Sequence, residues 1–133
     1  MIYDKYIDLK NKYLEYIIMI KVGNFYHSYD DDGIILNYLF NYKIKDNDVV
    51  GFPISSLDKV RRRLEKEHIN YYIDDKNYRE FNDNKYREVL DKSNNILELK
   101  KDIEDINNYL NSNIERKYIK KVINRIKGVI DEG

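Results

Sequence analysis

Residues 21–29, Lys21-Val22-Gly23-Asn24-Phe25-Tyr26-His27-Ser28-Tyr29, concentrate side chains that can meet a nucleobase or a phosphate. Gly23 and Asn24 both tolerate a positive φ, so they form a two-residue hairpin turn that presents Phe25 at the start of a strand. A rigid aromatic held at such an edge can stack on a base or wedge into a base step. A Phe can equally pack in the core, as most do; both readings stay open. His27 is neutral or cationic and can donate a hydrogen bond to a base edge or a phosphate oxygen. Lys21 and Asn24 flank the ring as candidate contacts. Further along, Lys59, Arg61, Arg62, Arg63 and Lys66 cluster, as do Arg116, Lys117, Lys120, Lys121, Arg125 and Lys127. Each set either neutralises phosphates or forms a solvated helix face, partly offset by Glu65, Glu67 and Glu115.

Other chemistry is poorly supplied. Asp30-Asp31-Asp32 offers carboxylates for a Mg²⁺-dependent nuclease, but three consecutive residues point in different directions. They read better as N-capping carboxylates of a helix. His27 and His68 lack the spacing of a zinc-binding helix, and His68 reads as a helix-terminal histidine near the negative end of the dipole. There is no GxxxxGK[ST] loop, no GxSxG and no Cys. No catalytic residue, metal or cofactor is therefore expected.

The elements that must position Phe25 follow from periodicity. Tyr6, Leu9 and Tyr13 share one face of a helix over residues 3–16. Residues 17–22 are apolar at nearly every position, as in a strand covered on both faces, and residues 25–29 form the returning strand. A helix across Ile34, Ile35, Tyr38 and Leu39 comes next. A second hairpin is expected from residues 43–45, turning at 46–48 and returning through Val49-Val50 to end at Gly51-Phe52-Pro53. Ser55 and Asp58 resemble a capping box for a helix through Leu57, Val60 and Leu64. Residues 69–74 alternate as a strand, and 74–77 form a turn. After about residue 81 the pattern is helical. Val89, Ile96, Ile103 and Leu110 recur every seven residues, with Leu99 and Ile106 three residues after two of them. Ser93-Asn94-Asn95 leaves one helix or two. A break at 111–113 and a second capping box, Ser112 and Glu115, predict an antiparallel helical hairpin.

The order of these elements, together with residues 21–29, resembles the N-terminal mismatch-recognition domain of the MutS family. That family shows an amphipathic helix, an apolar strand, a motif like [KR]-[VM]-G-[DN]-F-Y-E-x-[FY], an acidic pair before a helix, and a later G-[IV]-P. The matches are Lys21, Val22, Gly23, Asn24, Phe25, Tyr26, Tyr29, Asp31 and Asp32, then Gly51-Phe52-Pro53, over residues 5–75. The resemblance implies that Phe25 is the wedge at a mismatch. The family's Glu two residues after the Phe is His27 here, which cannot act as a carboxylate. Ile54-Ser55 also departs from the aromatic and His residues common after the Pro. The ATPase, lever and clamp regions have no counterpart in the sequence.

The fold expected is α/β (α+β): a small mixed sheet flanked by helices over residues 1–80, with a helical hairpin over 81–133. Charge is balanced, with 24 Lys+Arg against 24 Asp+Glu, which argues against tight autonomous nucleic-acid binding. The 14 Tyr accompany a bias to Asn, Ile and Lys, so Tyr count alone does not argue for base stacking. No signal-type or membrane-spanning segment is evident, and a cytoplasmic location is expected. The expected function is non-catalytic, weak binding of distorted or mispaired duplex DNA through Phe25, His27, Lys21, Asn24, Arg61 and Arg62. Residues 84–131 would serve a homodimer or a protein partner, adding avidity. The alternative is an interaction module that kept the fold and lost mismatch recognition.

Overall fold

The structure, a computed structural model, describes residues 2–111 and 124–128. It divides into two units, residues 1–93 and 94–133. In the first, α1 (Ile2–Lys12) leads into β1 (Ile17–Val22) and β2 (Phe25–Tyr29), followed by α2 (Asp30–Phe40). Next come β3 (Val49–Pro53), α3 (Leu57–Lys66), β4 (Tyr71–Ile73), β5 (Tyr78–Arg79) and the start of α4 (Tyr86–Asn111). The five strands form one mixed sheet in the order β3-β2-β1-β4-β5. The β1–β4 pair is parallel and the other three are antiparallel.

Strand alternation sorts the side chains of β1 onto two faces. Ile18 and Ile20 pack with Tyr6 and Leu9 of α1, and with Tyr13 just after it, on one face. Ile17 and Met19 face α2, α3 and the first turns of α4 on the other, with Tyr26, Phe52, Leu64 and Leu90. The centre of β1 is therefore covered on both sides, which accounts for its uninterrupted apolar run.

Ile18 lies beyond the β1–β2 ladder, whose pairs run from Val22↔Phe25 to Ile20↔His27. Its backbone groups are met by side chains instead. The Ser28 hydroxyl donates to Ile18 O at 2.7 Å, and Ile18 N–H donates to Asp32 Oδ2 at 3.1 Å. Asp32 is fully buried. It also accepts from Tyr6 (2.6 Å), Tyr86 (2.7 Å) and Lys10 Nζ (2.7 Å). Burial first, then the Asp32 charge, pushes both phenols up, so they stay donors.

Several local expectations are corrected. The acidic triplet does not N-cap α2: Tyr29 holds that position, with no side-chain cap bond. The three carboxylates occupy the first turn and diverge, Asp32 into the core and Asp30 onto Tyr3 Oη (3.0 Å). The capping box at Ser55 does not form either. A 3-10 turn, Ile54–Ser56, runs into α3, and Leu57 N–H is met by Ile54 O. Asp58 pairs with Arg61. Residues 43–45 make no strand. Only a bridge, Lys45↔Val49, remains, because β3 pairs along its whole length with β2. β5 was not expected; its two residues are exposed and carry no burial alternation. Ser93 does not break α4, since its hydroxyl donates to Val89 O (2.6 Å), a bond the helix tolerates.

In the second unit, Ile103 and Leu110 of α4 are buried with Leu99 and Ile126 against them. Of the expected break at 111–113, Asn111 is the last residue of α4, and Ser112, Asn113 and the capping box with Glu115 lie outside the described residues. Among those residues no helix is long and apolar enough to cross a membrane.

Gly23 has φ 60 and open space where a Cβ would stand. Gly23→Ala should therefore cost only the conformational penalty, about 1–2 kcal/mol. Urea unfolding checks this, and a neutral result would mean that the turn relaxes.

Candidate nucleic-acid interface

Phe25 stands immediately after the Gly23-Asn24 turn. Gly23 has a positive φ and Asn24 is absent from the left-handed residues, the pattern of a type II′ turn rather than one with both residues left-handed. The register places Phe25 between Val22 on β1 and Pro53 on β3. Its ring lies on the face that α1 covers farther along at Ile18, Ile20 and Tyr29. The helix does not enclose Phe25, which is 46% exposed. Ile54 N–H donates to Asn24 O at 3.0 Å and so pins the turn to the chain after Pro53. An apolar ring is thus held outward at a fixed point, with little ordering left to occur on binding.

His27 follows two residues along the same face. Its partners across the strands are Ile20 and Gly51. A Cβ on Gly51 would stand 3.1 Å from His27 Cδ2 and 3.3 Å from Nε2. The missing side chain is the space into which the imidazole settles. The ring also meets Tyr29 edge-on, with centroids 6.4 Å apart. Burial first, and the Lys45 charge second, hold His27 below its ordinary 6.5. Lys45 reaches this face through its bridge to Val49, which pairs with Tyr29.

A pH dependence follows from that depression. Between the folded midpoint and the ordinary 6.5, the unfolded chain binds more protons at His27 than the folded one. Stability from this group is full above 6.5 and is lost as pH falls through the folded midpoint. His27→Gln should flatten that segment of a stability–pH curve. An unchanged slope would show that the imidazole is not desolvated.

The six candidate contacts separate. Phe25 and His27 share one face, with Asn24 at the turn beside them. Lys21 pairs with Tyr26, whose ring is buried against α2 and α3, so Lys21 lies on the opposite face. Arg61 and Arg62 ride on α3, which packs Leu57, Val60 and Leu64 against that opposite face. Arg61 is also engaged by Asp58 at 3.1 Å. The cation that does approach His27 is Lys45, and the residue that seats His27 is Gly51. Neither stands out in the sequence as a contact. His68 follows α3, with Nδ1 2.9 Å from Asp83 and its ring stacked on Phe81. Among the described residues, no three His, Cys, Asp or Glu gather as a metal site.

The fold is thus a mixed sheet that raises a half-exposed ring on a pinned turn. Residues 2–89 match the family described as MutS domain I. This is more than half of the chain, and the chain belongs to that family. MutS domain I is the mismatch-recognition domain of MutS, a mismatch repair protein, and the ATPase activity of MutS sits in other domains. The chain is also similar to the DNA mismatch repair protein MutS of Fervidobacterium nodosum, at 30% identity over 63 residues. The matched stretch is 45% of this chain and spans only 8% of that protein's length.

Proposed function

We propose that this chain is a non-catalytic module that contacts distorted or mispaired duplex DNA, with Phe25 as the intercalating ring. The observation that carries the reading is the half-exposed Phe25 on a turn pinned by Ile54. Membership of the MutS domain I family supports the same ligand class. Affinity is modest, because few cations among the described residues share the Phe25 face. Lys21, Arg61 and Arg62 lie on the other side and take at most an outlying phosphate.

Fluorescence anisotropy at low salt, with matched, mismatched and single-base-bulged duplexes, tests the proposal. The bulged duplex should bind best, and equal failure of all three would refute it. Each phosphate neutralised contributes a slope of about −0.9 in log K against log salt. A slope of about −1 is expected if His27 and Lys45 together hold one phosphate as the main contact. A steep slope with no preference for the bulge would instead mark the helical cations as the binding surface.

A second reading draws on Ile106, which is 40% exposed on α4. Residues 84–131 would then join two copies or a second protein. Sedimentation that returns only monomer removes the homodimer.

A further inference from the structure

The face around Phe25 has a relief that its sequence neighbours do not show. Along β2, Phe25, His27 and Tyr29 project to one side. Across from them β3 sets Pro53, Gly51 and Val49. The middle of this strip is a trough, because Gly51 contributes no side chain. The imidazole lies in the trough, with Nε2 3.3 Å from the position a Gly51 Cβ would take. Beyond the strip stands Lys45, on the same side as Val49 and Tyr29. The other residues facing His27 across the ladder, Ile20 and Gly51, carry no charge.

We infer that His27 and Lys45 form an anion subsite for the phosphodiester of the nucleotide whose base stacks on Phe25, and that Gly51 is the positioning residue that seats His27. This rests on the nucleic-acid reading of the same face. Residues i and i+2 of a strand are roughly 7 Å apart, comparable to the separation of a base from the phosphate of its own nucleotide. The Lys45 charge acts on His27, Asp46 lines the same groove as Lys45, and neither His27 nor Lys45 in its charged form can serve as the acceptor that a carboxylate would be. A phosphate carries no base identity. The site therefore takes unstacked nucleotides of any base and distinguishes poorly between mismatches.

The DNA arm of the test uses a bulged duplex in which each phosphate flanking the extra nucleotide is replaced in turn by an uncharged methylphosphonate. For one of the two positions the wild-type protein should lose about five- to tenfold in affinity, the size of one exposed charge-assisted contact. His27→Gln and Lys45→Gln should each lose less than about twofold from the same replacement, because the contact is already gone. Equal losses in wild type and variants overturn the subsite.

The second arm needs no DNA. With His27 resonances identified by comparison with His68→Gln, the imidazole is titrated by NMR with and without sulfate, an anion of constant charge over this range. Sulfate should raise the His27 midpoint in wild type and leave it nearly unmoved in Lys45→Gln. Gly51→Ala, checked for folding by circular dichroism, should return the sulfate-free midpoint toward the ordinary value by displacing the ring to solvent. A His27 midpoint indifferent to sulfate overturns the subsite, and one indifferent to Gly51→Ala overturns the positioning role. A sulfate response without any duplex binding would leave the subsite standing and sink the DNA function.

Discussion

Replacing Phe25 with Ala is expected to weaken binding to a bulged duplex by about 1–3 kcal/mol, roughly five- to hundredfold. That range is the contribution of one base–aromatic stack, and Phe25 is the ring placed to make it. The same substitution should cost much less in folding. Burying a whole Phe side chain contributes about 1.5–3 kcal/mol, and this ring is 46% exposed between Val22 and Pro53. A folding loss near 1 kcal/mol is then the expected size. Phe25→Leu separates the two effects further. It keeps apolar cover over Val22 and Pro53 but removes the flat face, so stability should hold while affinity falls almost as far as in the Ala variant. Anisotropy titrations paired with urea unfolding check both variants. Unchanged affinity in Phe25→Ala would end the intercalation reading. Equal losses on matched and bulged duplexes would turn Phe25 into a general contact rather than a sensor of distortion.

The part of the site that the sequence discloses is the part held by neighbours in the chain. Gly23-Asn24 closes a turn by its own backbone preference, so β1 and β2 take the expected bounds and Phe25 takes the expected edge. His27 follows from strand alternation. Lys21 illustrates a signal that is present but overlooked. A two-residue turn fixes the register, Lys21 falls opposite Tyr26, and Tyr26 is committed to the core. Parity alone removes Lys21 from the Phe25 face. Gly51 and Lys45 are different. Their proximity to His27 depends on β3 pairing with β2 rather than folding back on residues 43–45. Both pairings satisfy the same local pattern, and only the longer ladder decides between them. The cations of α3 mislead for a related reason. They are dense in sequence, but the helix buries Leu57, Val60 and Leu64 on the far side of the sheet. A basic cluster shows which helix is charged and not which face of the sheet that helix covers.

Asp32→Ala should be far more damaging than any change at the Phe25 face, costing roughly 3–5 kcal/mol of folding stability. The carboxylate is completely buried and receives Lys10 Nζ, the Tyr6 and Tyr86 hydroxyls and Ile18 N–H. These donors come from α1, α4 and β1, while Asp32 itself belongs to α2. Removing it leaves an ammonium that is only 18% exposed without its counter-charge, held by Tyr16 O and Tyr86 Oη alone, and orphans a strand N–H that the β1–β2 ladder does not reach. The loss is thus the penalty of a buried charge left uncompensated and one orphaned N–H, more than the worth of one ion pair. Asp32→Asn should remain costly, since the amide offers one acceptor oxygen and turns its NH₂ toward groups that also donate. Tyr6→Phe removes one donor and leaves the carboxylate its others, so about 1–1.5 kcal/mol is expected. Pairing Lys10→Met with Asp32→Ala should be less damaging than the two single losses added together, because the stranded charge leaves with its partner. Urea denaturation of the five variants, Lys10→Met alone included, measures each value. A mild Asp32→Ala, within about 1 kcal/mol of wild type, would mean that water reaches the orphaned groups. The junction of α1, β1, α2 and α4 would then be held by apolar packing alone.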